Sequence, residues 1–201
     1  MSWGQITLRI LAVLALCMAA ACGTRSDGPP LGTPDEVARL EAAILALGPD
    51  VDAGEAARAA RISYAHTHDL ARQYGITDPP LVHNTKVNMG LRPRGLCWHW
   101  AEDMERRLAA EKFRTLDLHR AIASADNPFR IDHSTALISR AGAPIEQAIV
   151  LDPWRKGGVL TWVPFAEDGD YDWVARRDVL DKKLRRLRLS GDLPEGAVPA
   201  F

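Results

Sequence analysis

Cysteine is scarce in this chain: 201 residues hold Cys17, Cys22 and Cys97 only, too few for the disulfide framework of a small secreted scaffold. A membrane-spanning run is missing too, because crossing a bilayer takes about 20 apolar residues and the run from Ile10 through Met18 is far shorter. Neither sign of charge dominates. Lys and Arg number 25 against 26 Asp and Glu, mixed along the chain, so there is no overall electrostatic footprint for nucleic acid. No internal repeat is present, which excludes a solenoid or propeller. His66 and His68 lie two apart in a helical stretch and so point to different sides, which argues against a metal pair there.

What is present begins with a targeting signal. Arg9 precedes the Ile10–Met18 run, which gives way to Ala19-Ala20-Ala21-Cys22-Gly23, the layout of a cleavable export peptide over residues 1–21. Small residues before a cysteine resemble the lipobox of bacterial lipoproteins, although Ala19 stands where a bulkier residue is usual. The resemblance implies lipidation (a palmitate-type acyl group) at Cys22 and anchoring to a membrane of the bacterial cell envelope, facing the periplasm; Gly23 after the cysteine implies the outer membrane. Plain secretion is the alternative. Residues 22–32, rich in Gly, Pro and polar residues, read as a flexible tether, and 33–201 as one domain with a substantial core. Processing would discard Cys17 and acylate Cys22, leaving Cys97 without a disulfide partner. A lone thiol in an oxidising compartment is either buried and inert or put to use.

The surroundings of Cys97 favour use. Pro93 and Gly95 break the incoming chain, and Leu96, Trp100, Met104 and Leu108 then recur every fourth residue, so a helix begins near the cysteine. Free amides at a helix start favour thiolate over thiol and offer donors to a developing oxyanion. Upstream, Thr33-Pro34-Asp35-Glu36 has the capping pattern of a helix running to about Leu47, and a second helix is expected from about Ala53 to Tyr74, stopped by Gly75. From Asp78-Pro79-Pro80 to Gly90 an irregular connection is expected. Within it Asn84 and Asn88 are candidate donors to an oxyanion near Cys97, against the ordinary role of Asn in satisfying loop backbone.

After a polar stretch around Asp126-Asn127-Pro128, residues 131–140 and 145–151 read as two strands around Gly142-Ala143-Pro144. A hairpin centred between Gly142 and Ala143 sets His133 directly opposite Asp152 on one face, where a carboxylate can hold an imidazole. Residues 159–165 read as a further strand. Gly169-Asp170-Tyr171-Asp172-Trp173 reads as an aromatic return loop in which Tyr171 and Trp173, like Trp162, pack without a catalytic role. Leu180, Leu184 and Leu187 among the basic residues 182–188 mark an amphipathic C-terminal helix, whose charged face either meets solvent or touches anionic lipid or cell-wall polymer.

The order Cys, His, Asp resembles the transglutaminase-like domain of the papain-like cysteine enzyme superfamily. Gly95-Leu96-Cys97-Trp98 is similar to that family's lead-in to the cysteine helix, Asp132-His133 to its histidine strand and Leu151-Asp152-Pro153 to its aspartate strand, over about residues 80 to 165. The resemblance implies an α+β fold, with N-terminal helices and a cysteine-bearing helix packed on a small antiparallel sheet, and a Cys97–His133–Asp152 triad. It also implies a site wall at Trp98, unless Trp98 is an ordinary core residue. The expected activity is cysteine peptidase, amidase or acyltransferase chemistry through a thioester, by hydrolysis or amine transfer, on a peptide or protein amide such as a peptidoglycan peptide, with no cofactor and no metal. His99, two residues after the nucleophile, is expected to point away and to matter little. The competing readings are a scaffold that has lost activity and a binding module holding zinc through Cys97, His99, His133 and Asp152.

Overall fold

Residues 28–191 are described by the structure, a computed structural model; the export signal, Cys22 and residues 22–27 of the expected tether lie outside them. Thr33 opens helix α1 (Pro34–Leu45) with a reciprocal cap: Glu36 N donates to Thr33 Oγ1, and Thr33 N donates to Glu36 Oε2 at 2.7 Å. Asp52 caps α2 (Ala53–Tyr74), which ends where Gly75 turns left-handed at φ 66°. Both helices match the expected spans closely. Residues 28–32, expected to be part of the tether, lie against the domain instead: Pro29 is buried, and Gly32 sits so near the Tyr64 ring that a Cβ would come within 2.1 Å of it.

The expected irregular connection contains a helix, α3 (Pro80–Asn88). Pro80 sits at its first position, where a fixed φ helps rather than hinders. Its only buried residue is His83, so no apolar stripe announced it. Then comes α4 (Cys97–Ala109), with Cys97 as its first residue.

Five strands form one antiparallel sheet: β1 (Leu116–Ala123), β2 (His133–Arg140), β3 (Ile149–Asp152), β4 (Thr161–Pro164) and β5 (Val174–Ala175), in the order β4-β3-β2-β1-β5. The chain closes with α5 (Arg176–Leu189). The fold is therefore α+β, as expected, with α4 packed on the central strand β2. Met104 and Leu108 of α4 share a core with Leu40, Ile44, Ile138 and Leu151. On the other sheet face Leu137 and Val150 pack with Trp173. Strand β1 was not expected; Asp117, His119 and Arg120 interrupt its apolar residues.

The hairpin register differs from the expected one. Ala136 pairs with Leu151, Leu137 with Val150 and Ile138 with Ile149, and continuing that register sets Asp152 across from Thr135 rather than His133. The cause is the connection: Ile145–Gln147 forms a turn of 3₁₀ helix, so β3 starts at Ile149. The slip is by two positions, and side chains alternate with period two, so His133 and Asp152 still share a face.

Candidate active site

Cys97 reaches the site on a clamped turn. Gly95 has φ 125°, and a Cβ there would lie 2.3 Å from His83 Nε2, so only glycine fits. His83 Nε2 meets Arg94 O at 2.9 Å, Trp100 Nε1 donates to Gly95 O at 3.0 Å, and the amides of Gly95 and Leu96 donate to His99 Nδ1 at 3.1 and 3.2 Å. Leu96 has no side chain that can cap, so His99, at the third helical position, does the work usually shared with a capping Ser or Thr. Two amides on one ring nitrogen require that nitrogen to be unprotonated. Burial and then the Arg94 charge push the His99 pKa down to about 4. His99 thus builds the turn that delivers the nucleophile, which corrects the expectation that it matters little. With Nδ1 occupied in this way, it gives no support to the zinc reading.

Amides of residues 99 and 100 donate to Leu96 O at 2.9 and 3.3 Å. The amides of Cys97 and Trp98 have no acceptor among the described residues. They are the two donors that the helix start leaves free. Asp103, further along α4, accepts from Tyr74 OH and from Arg94, which pins α4 to α2 and to the turn.

His133 is the first residue of β2 and 1% exposed. Its Nε2 meets Asp152 Oδ2 at 2.7 Å. Trp154, Tyr171 and Trp173 enclose the ring at centroid separations of 4.7, 4.6 and 5.2 Å. Nδ1 is buried without a hydrogen-bond partner. The Cys97 thiol donates to Asp132 O, one residue before His133, at 3.5 Å, and is near enough to the imidazole to favour its charged form. Burial alone would discharge the imidazole, but Asp152 first and Cys97 second outweigh it and push the His133 pKa up to about 9. When protonated, the ring has a donor on each nitrogen, one of them held by Asp152.

Asp152 is itself over-determined. Its Oδ1 accepts the amides of Trp154 and Arg155, both at 3.1 Å, and its Oδ2 accepts Arg155 Nε at 3.0 Å as well as His133. Burial works against its charge, yet His133 and Arg155 hold it below the usual carboxylate range. Arg155 also forks onto Asp168, at 3.1 and 2.6 Å, and Trp173 Nε1 donates to the same carboxylate at 2.9 Å.

The structure thus brings together Cys97, His133 and Asp152, three residues singled out in the sequence. Trp98 is 46% exposed on the first turn of α4 beside Cys97, so it is no core tryptophan. Asn84 Oδ1 accepts Trp154 Nε1 at 3.1 Å; its side chain positions a tryptophan that packs on His133. Asn88 is exposed at the end of α3 and makes no side-chain hydrogen bond among the described residues. Sequence reasoning missed His83, Arg155 and Asp168, and misjudged His99. The capping-box position of His99 was a usable signal; the others are joined only by folding. No family model, no curated protein and no solved structure matches the chain.

Proposed function

We propose that this protein is a cysteine acyl-transfer enzyme of the transglutaminase-like, papain-like kind, exported and anchored through a lipid on Cys22 to a bacterial envelope membrane. The observation that carries the reading is the buried His133, held by Asp152 on one nitrogen, without a partner on the other, and favoured in its charged form by Asp152 and Cys97. The chain order Cys, His, Asp and the helix-start position of the thiol support it.

In this mechanism His133 takes the Cys97 thiol proton, the resulting thiolate attacks an amide carbonyl, and the charge on oxygen meets the free amides of Cys97 and Trp98. His133 gives its proton to the departing nitrogen as the C–N bond breaks. Water or an amine then attacks the thioester, returns a proton to His133 and releases sulfur. Asp152 keeps the ring oriented and stabilises its charge. Peptide and protein amides, including the peptides of the cell wall, are the substrates available in that compartment.

Iodoacetamide followed by peptide mapping tests this. Alkylation is expected at Cys97, slowing at least about 100-fold in His133→Ala, the scale of a lost acid–base partner. Cys97→Ala should leave no alkylation. Equal rates in the wild type and in a folded His133→Ala, with fold checked by circular dichroism, would end the triad reading.

A further inference from the structure

Beside the proposed triad stands a group of side chains that proteins ordinarily bury. Phe129 is 95% exposed, Leu81 62% and Ile131 52%. They border a cleft of about 550 Å³ whose walls include Trp154, Tyr171 and His133 itself. That size suits a small-molecule site, and apolar surface left open on this scale marks a place of binding. Arg130 lies on its lining. Its guanidinium stands 5.3 Å over the Tyr171 ring and donates to Asp170 O at 3.2 Å, and it forms no ion pair among the described residues. Arg155, the other cation there, is already matched by Asp152 and Asp168. Arg130 also borders the groove along α5, where Asp126 pairs with Lys182 and Arg186.

We propose that this cleft holds the amine half of the substrate, the leaving group in hydrolysis and the acceptor in transfer. That half is an α-amino acid whose side chain is apolar and whose carboxylate is met by Arg130. The inference rests on the acyl-transfer reading above. His133 must pass its proton to the departing nitrogen, so that nitrogen sits within hydrogen-bond reach of the ring. The chain continuing from the nitrogen then enters the space the imidazole borders, which is this cleft. Its apolar walls take the side chain, and Arg130 supplies the one charge lacking a counter-ion.

Acetylation of the purified protein with p-nitrophenyl acetate forms the C–S bond, breaks the ester C–O bond and releases p-nitrophenol with the proton His133 took from the thiol. It leaves a thioester whose acyl part is too small to choose. An added amine then attacks the acetyl carbonyl: a C–N bond forms, the C–S bond breaks, sulfur leaves as thiolate and the surplus ammonium proton passes to His133. The readout is the ratio of N-acetyl product to acetate, which does not depend on how fast the enzyme was acetylated. DL-Leucine should outcompete glycine by about tenfold or more, the discrimination an apolar pocket provides. Phe129→Ser should bring that ratio toward one. Arg130→Gln should cut the preference for DL-leucine over DL-leucinamide about tenfold, as expected for a lost charge-assisted bond. Both variants alter exposed side chains. Equal use of leucine and glycine by the wild type, or an unchanged leucine to leucinamide ratio in Arg130→Gln, overturns the cleft assignment while leaving acyl transfer standing. Failure of the wild type to acetylate at Cys97 removes the acyl-transfer reading and the cleft assignment with it.

Discussion

His133 is asked to carry charge where burial opposes it, and Asp152 is the main reason that it does. Neutralising that partner in Asp152→Asn should therefore move the alkaline fall in turnover from near pH 9 to lower pH, with loss of rate but not of all activity; a pH–rate profile reads both. An unmoved alkaline limb would mean that Asp152 does not set the charge of the ring. A second residue-scale expectation concerns Gly95, whose positive φ and contact with His83 leave no room for a methyl group. Gly95→Ala should cost about 1–3 kcal/mol in urea unfolding, the usual penalty for forcing such a backbone, and should slow Cys97 alkylation because the turn carrying the helix start is displaced. Cys97 itself and its helix were legible from glycine, proline and a four-residue repeat. The role of His83 was not, since it reaches the turn from α3, eleven residues earlier.

Between elements, the junctions are made by buried charge. Glu55, in the first turn of α2, turns inward to accept Arg114 N at 3.0 Å and Thr115 N at 2.9 Å, joining that helix to the chain entering β1. Arg155 ties the end of β3 to Asp168, which immediately precedes the aromatic loop. Arg155→Met should leave two buried carboxylates short of a partner and lower stability by about 3–5 kcal/mol, the range for breaking a buried pair. Urea unfolding checks this, and a change under about 1 kcal/mol would show that the pair is not structurally required. The ion pairs from α5 to Asp126 and Asp132 are about half exposed and contribute little. Helices α1 and α2 were legible because capping residues and stripes lie next to each other in the chain. Helix α3 and strand β1 were not: one has no apolar stripe, and the other carries charged residues.

For the molecule as a whole, titration should bound stability on both sides. The folded His133 pKa of about 9 exceeds the ordinary histidine value of 6.5, so its contribution is complete below the ordinary value and lost as pH rises through about 9. His99 has the opposite sign: its folded pKa of about 4 lies under 6.5, so its contribution is present above the ordinary value and lost as pH falls through about 4. Glu55, Asp103, Asp152 and Asp168 are held below the carboxylate range and add to that acid-side loss. Thermal unfolding from pH 3 to 10 should give a plateau near neutrality that falls at both ends, and His99→Gln should soften the acid side. No helix among the described residues is long and apolar enough to cross a membrane, and Cys22 lies outside them. The sequence alone determined the start of the cysteine helix and the face shared by His133 and Asp152, because capping, periodicity and strand alternation act between near neighbours, while the α+β class was what the resemblance implied. Only the tertiary structure decided the register across the hairpin, the clamp of His83 and His99 on the turn, and the Arg155–Asp168 support behind Asp152. A 3₁₀ turn sets the register, and the other contacts join residues that meet only once the helices and sheet have packed.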